Sequence, residues 1–195
     1  MYTPWPDKNG EHALRSQLVN MIGDYLIYAP SHEVADIHSR SAPVYMYEFA
    51  HRAKTSAFPT EPWMGVPHGE NIPFDFGIPL LPMFSSATSE ADRNVSSLIM
   101  ALHVNFATSG DPALSNVPWE RYNSTHRAYL RVDSNPKMAL SFSPRRMAFW
   151  NDYYPKLTQV YIANNKGVVN GASVVLTMGT FFQIILSYIL AIFLM

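Results

Sequence analysis

Between Phe58 and Pro82 the chain carries prolines at positions 59, 62, 67, 73, 79 and 82. Each one removes a backbone donor, disrupts a helix interior, and in a sheet is confined to an edge or a bulge. The stretch is therefore an ordered loop with short turns, and the rest of the fold has to be arranged around it. Loops of this length inside a compact chain are usually functional.

The elements on either side follow from periodicity. Leu14, Leu18, Met21, Ile22 and Tyr25 recur at helical spacing, which predicts a helix over 12–28 that Pro30 ends. Ser31 fits an N-cap for a short second helix carrying Val34 and Ile37, and Pro43 precedes an aromatic-rich strand, Val44 to Phe49. Beyond the loop, Ser89-Glu90-Ala91-Asp92 starts a helix whose apolar face is Leu98, Ile99, Leu102 and Phe106, and Gly110-Asp111-Pro112 stops it. A short strand at Tyr129 to Val132 comes next. Pro144 then opens a last helix to about Ile162, with Met147, Trp150, Tyr154, Leu157 and Tyr161 on one stripe. That stripe either packs on this chain's own core or forms a helix-to-helix dimer seam.

Composition excludes several functions. Fourteen basic against 15 acidic residues give a net charge of -1, so there is no electrostatic footprint for a nucleic-acid partner. With no cysteine there is no disulfide, thiolate metal site or cysteine nucleophile. The seven histidines show no metal-ligand spacing, so neither a metal nor any other cofactor is expected. Two sequons, Asn94-Val95-Ser96 and Asn123-Ser124-Thr125, permit N-glycosylation on a secretory route, and Asn94 falls inside a predicted helix.

The chain ends are informative in opposite ways. Nothing after Met1 resembles a secretory signal, which suggests an upstream start or a tail-anchored protein. Val174 to Met195 holds no charged side chain and is long enough to span a bilayer. It lacks a basic stop-transfer flank. Asn170-Gly171-Ala172 supplies the small residues of a glycosylphosphatidylinositol (GPI) attachment site, Ser173 to Thr180 a spacer, and Phe181 to Met195 the apolar tail. Asn165 is the next best attachment residue. The expectation is a membrane link through a GPI anchor at Asn170, with a C-terminal helix as the alternative, on the outer face of the plasma membrane.

The loop Pro62-Trp63-Met64-Gly65-Val66-Pro67-His68-Gly69, followed by Ile72 to Leu80, resembles the histidine loop of the cholinesterases in the type-B carboxylesterase family. Tyr2-Thr3-Pro4-Trp5, Gly23-Asp24, Val44 to Phe49, Asn105-Phe106-Ala107 with Gly110-Asp111-Pro112, Tyr129-Leu130 and Phe149-Trp150-Asn151 with Pro155-Lys156-Leu157 are similar to family segments in the same order. The resemblance covers about residues 1–157. It implies the C-terminal portion of an α/β hydrolase fold over 1–163, a linker over 164–173 and a hydrophobic tail over 174–195.

In that fold the triad runs Ser, then Asp or Glu, then His, with the serine on a Gly-x-Ser-x-Gly elbow. No such elbow occurs here, and the family's acid would lie upstream of Met1, so the chain carries one triad member, His68. An imidazole there would take the serine proton and return it to the departing alcohol. The resemblance implies hydrolysis of a choline ester such as acetylcholine through an acyl-serine intermediate. Trp63, Met64 and Gly69 then belong to the surroundings of the substrate gorge, although by residue type Trp63 and Met64 serve equally well as filling under the loop. In the resembling family a helix equivalent to 144–162 pairs in a homodimer.

Two departures stand out. Where the family has Tyr-Glu after His-Gly, this chain has Glu70-Asn71, and Glu70 is expected to be a solvated loop carboxylate. Where the family has two half-cystines, this chain has Ala29 and Met147, so both partners are lost together. The alternative functions are a general carboxylesterase and a non-catalytic, neuroligin-like adhesion relative of the same fold.

Overall fold

The computed structural model describes residues 1–3, 5–6, 10–56 and 60–164. Two compact units are distinguished, Met1–Asn151 and Asp152–Met195. In the first, α1 (Glu11–Gly23) leads through a π turn at Asp24–Tyr28 into α2 (Ala29–His38), and β1 (Met46–Phe49) follows. After the proline-rich loop with its small α3 (Ile72–Asp75) come α4 (Glu90–Ser109), β2 (Ala128–Val132), β3 (Lys137–Leu140) and α5 (Pro144–Ala148). A π turn at Phe149–Tyr153 then leads into α6 (Tyr154–Asn164).

Pro30 does not end the first helix. The N–H of Ala29 reaches back five residues to the Asp24 carbonyl. This wide turn puts Pro30 in the first turn of α2, where a missing N–H is tolerated. The same device precedes α6, whose second residue is Pro155. The single predicted helix over 144–162 is therefore α5, a π turn and α6.

β1 pairs parallel to β2 with Met46 opposite Tyr129, and β2 pairs antiparallel to β3 with Ala128 opposite Leu140. β2 alternates as a half-buried strand should, with Ala128, Leu130 and Val132 inside. Those side chains meet Val95, Ile99 and Leu102 of α4 together with Phe74, Val117 and Trp119 to form the core. Trp119 keeps its polar edge satisfied by donating Nε1–H to the Met46 carbonyl at 2.9 Å. Lys-Met-Ala-Leu of β3 carries no β-branched residue, which explains why sequence periodicity missed it.

Ala29 and Met147, the two positions where the resemblance implies half-cystines, are both buried, at 3% and 1% exposure. Of the predicted last-helix stripe, Met147 lies in the interior of the first unit, and Trp150 there donates to Tyr2 Oη at 2.6 Å. In the second unit, Leu157 and Tyr161 of the same stripe are exposed.

α4 starts as its sequence predicts, with a reciprocal capping box. Asp92 N–H donates to Ser89 Oγ at 3.1 Å, and Ser89 N–H donates to Asp92 Oδ2 at 2.6 Å. The Asp92 carboxylate also accepts from His51 Nε2 at 2.7 Å and from the Lys54 N–H at 3.3 Å. Burial alone would raise its pKa, but these hydrogen bonds together outweigh burial and hold the carboxyl below its ordinary value.

A depressed carboxylate contributes stability that is present above the unfolded-state pKa and lost as pH falls through the lower folded value. Asp92→Ala should destabilise the chain by about 3–5 kcal/mol, because it strands buried donors. Urea unfolding at pH 7 measures that loss. Repeating it at decreasing pH should show the wild-type advantage over Asp92→Asn shrinking on acidification.

Candidate functional site

The loop that bears His68 is held at both of its ends by Asp92. His51 and Lys54 lie where the chain leaves β1, and Ser89 lies where it enters α4. Inside this clamp, Pro62–Met64 forms one turn of 3₁₀ helix, with Trp63 and Met64 half-buried. Gly65 follows at φ 75°, ψ -137°, a conformation essentially closed to side-chain-bearing residues.

His68 sits in a tight turn. The Glu70 N–H donates to the Pro67 carbonyl at 3.2 Å, which places His68 and Gly69 at the two central positions. Gly69 has φ 90°, as the third residue of a type II turn requires. A second turn overlaps the first, with the Ile72 N–H on the Gly69 carbonyl at 3.1 Å. His68 is exposed, and among the described residues it makes no hydrogen bond or ion pair. A side chain presented to solvent from a fixed turn is free to serve an external group.

Glu70 departs from expectation. It is only 2% exposed, and it accepts a hydrogen bond from Ser56 Oγ at 2.8 Å. The loop folds back on itself here, so the carboxylate points inward rather than to water. Asn71 Nδ2 donates to Asp75 Oδ2 at 2.7 Å and approaches Tyr47 Oη of β1 at 3.5 Å. The other Asp75 oxygen lies 3.6 Å from His103 Nδ1 of α4 and is buried without a hydrogen bond. Burial pushes the Asp75 carboxyl above its ordinary pKa, while the Asn71 bond and the His103 charge pull it back. Burial also raises the Tyr47 phenol, and the neighbouring Asp75 charge adds to that.

His68, Trp63, Met64 and Gly69 thus share one loop, as the sequence predicts. The sequon residues lie elsewhere. Asn94 is exposed on α4, but Val95 and Ser96 of its triplet are buried, and Ser96 Oγ donates to the Phe74 carbonyl at 2.8 Å. Asn123 is exposed, and its Oδ1 accepts from the N–H groups of Thr125 and His126 in an Asx turn. Asn165 and Asn170 lie outside the described residues. No described helix is long and apolar enough to cross a membrane. Among the described residues no cluster of His, Asp and Glu has metal-ligating geometry.

Sequence reasoning missed Asp75, His103, Tyr47, Ser56 and the His51–Asp92 pair. Only Asn71 and Asp75 carried a signal, their i,i+4 spacing. Two surface clefts, of about 370 and 560 Å³, are lined by other residues than His68, Trp63 or Met64.

The carboxylesterase family profile matches residues 1–150, and the chain belongs to that family. Acetylcholinesterase of Bungarus fasciatus is 35% identical over 161 residues, covering 80% of this chain and 26% of that protein. Human neuroligin-3 is 28% identical over 181 residues, covering 83% of this chain and 21% of that protein. Human neuroligin-2 is 27% identical over the same length. The chain therefore spans about a quarter of the length of these relatives.

The strained glycine before the histidine turn gives a direct check on this geometry. A Cβ at Gly65 would meet nothing within 4 Å, so any effect of Gly65→Ala comes from the backbone alone. It should destabilise by about 1–3 kcal/mol, read as a lower urea midpoint with an unchanged slope.

Proposed function

We propose that the chain is the histidine-bearing C-terminal part of an α/β-hydrolase-fold serine esterase, and that its substrate is a choline ester. The observation that carries the reading is the solvent-facing His68 on a turn whose following residues, Glu70 and Asn71, are both tied down by side-chain hydrogen bonds. The acetylcholinesterase relative supports the esterase kind.

In the complete protein, His68 takes the proton of an upstream serine as the hydroxyl attacks the ester carbonyl. It then delivers that proton to the departing alcohol, leaving an acyl-serine. In the second half-reaction the same imidazole activates water. Trp63, Met64 and Gly69 belong to the surroundings of the substrate gorge. A general carboxylesterase would use the same steps.

In the protein that contains this chain, His68→Ala should lower kcat for choline-ester hydrolysis by at least about a thousandfold with the fold intact. Near-normal turnover would refute the role. The 195-residue piece alone should be inactive, since no Gly-x-Ser-x-Gly elbow lies on it.

A second reading is favoured by the neuroligin match over 181 residues. It is a non-catalytic adhesion relative of the same fold whose surface binds a partner protein. A serine hydrolase probe that labels the protein argues for the esterase, and complete failure to label argues for adhesion.

The proposal extends to location. The esterase is secreted and held on the outer face of the plasma membrane through a GPI anchor at Asn170, with a spanning C-terminal helix as the alternative. A homodimer forms through the exposed part of the 144–162 stripe. On the secretory route Asn123 and Asn94 are both glycan acceptors, and Asn94 is the weaker of the two because the Ser96 hydroxyl of its triplet is committed to the core as the chain folds. Peptide mapping of the secreted protein should find higher glycan occupancy on Asn123 than on Asn94. Phosphatidylinositol-specific phospholipase C should release the activity from intact cells.

A further inference from the structure

The residues just after Gly69 carry two independent side-chain anchors, and one of them ends in an oxygen with no hydrogen bond of its own. Glu70 is held by Ser56 from within the same loop. Asn71 is held by Asp75 from α3, and the free Asp75 oxygen faces His103 on α4 with the Tyr47 ring edge-on to that imidazole at 5.6 Å. The second anchor therefore joins the histidine turn to β1, α3 and α4 at once, whereas the first joins it to Ser56 of the same loop.

We infer that Asp75 is a positioning residue for His68, fixing through Asn71 the second of the two overlapping turns from which the imidazole is presented. Its purpose rests on the esterase reading above; its structural effect does not. The Asn71 carbonyl accepts the N–H groups of Phe74 and Asp75, both at 2.9 Å, so Asn71 is also the point where the turn becomes α3. Its amide group must donate to an acceptor fixed relative to the core, and Asp75 Oδ2 at 2.7 Å is that acceptor. The groups facing Asp75 are Asn71 in the turn, Tyr47 on β1 and His103 on α4, so its charge has one ionisable cation beside it. The buried oxygen lies 3.6 Å from His103 Nδ1 without a hydrogen bond, so the Asn71 amide gives the side-chain hydrogen bond that the Asp75 carboxylate accepts.

Two variants in the longest protein that carries this chain test the inference. Asp75→Val removes the acceptor, and Asp75→Asn keeps an oxygen for Asn71 while removing the charge. In Asp75→Val, amide hydrogen exchange at Glu70 and Ile72 should accelerate about tenfold, the loss of one hydrogen bond. Amides of α4 such as Ile99 and Leu102 should stay unchanged. Asp75→Asn should restore slow exchange at Glu70 and Ile72. If the wild type hydrolyses choline esters, kcat of Asp75→Val should fall about tenfold with KM within about twofold, and Asp75→Asn should recover it.

Unchanged exchange at Glu70 and Ile72 in Asp75→Val overturns the inference, as does faster exchange there in an active enzyme whose kcat does not move. A wild type with no esterase activity counts against the functional reading alone, because the exchange result still decides whether Asp75 fixes the turn.

Discussion

The buried carboxylate of Asp92 is the interaction on which the site depends. One side chain closes the capping box of α4 and binds both His51 and the Lys54 backbone, residues 41 and 38 positions earlier in the chain. A long loop pays little entropy for additional residues once its ends are fixed. Prolines within it then reduce the conformations it must give up. The histidine turn is therefore local detail on a frame already closed by a single anion. That anion sits at the first turn of a helix, where the macrodipole also favours it.

A second polar knot ties the two ends of the first unit together. Asp24 is 1% exposed and takes a hydrogen bond from Tyr2 Oη at 2.7 Å and an ion pair from Arg146 Nε at 3.2 Å. Tyr2 Oη in turn accepts from Trp150. Burial, then the bond to Asp24, pushes the Tyr2 phenol up to about 12, so it remains a donor throughout the physiological range. Asp24 and Arg146 lie close in sequence to the buried Ala29 and Met147, the two positions where the family resemblance implies a disulfide. The noncovalent link joins the stretches around those two positions. It constrains the folded state, whereas a disulfide also restricts the unfolded one.

Features written in local sequence were legible. Ser89 with Asp92 marked the start of α4, Gly110 its end, and the strands at Met46–Phe49 and Ala128–Val132 followed from aromatic and β-branched residues. Pro30 misled because a π turn upstream relieves the clash that would otherwise stop the helix. Glu70 misled because its partner, Ser56, is 14 residues away, and no local pattern shows that a loop carboxylate turns inward. The His51–Asp92 pair and the contact of Asp75 with His103 are likewise products of tertiary folding. The identity of the histidine loop came from its family resemblance, since spacing alone does not separate a catalytic histidine from any other loop histidine.

The central proposal is that the frame closed by Asp92 holds the loop from which His68 would serve a catalytic serine elsewhere in the protein. A fluorophosphonate probe, which labels an activated serine covalently, tests this most directly when applied to the longest protein that carries this chain. The account predicts rapid labelling of one serine upstream of Met1, abolished by His68→Ala in a variant that retains the wild-type urea midpoint. Labelling that proceeds at the wild-type rate in folded His68→Ala would contradict it.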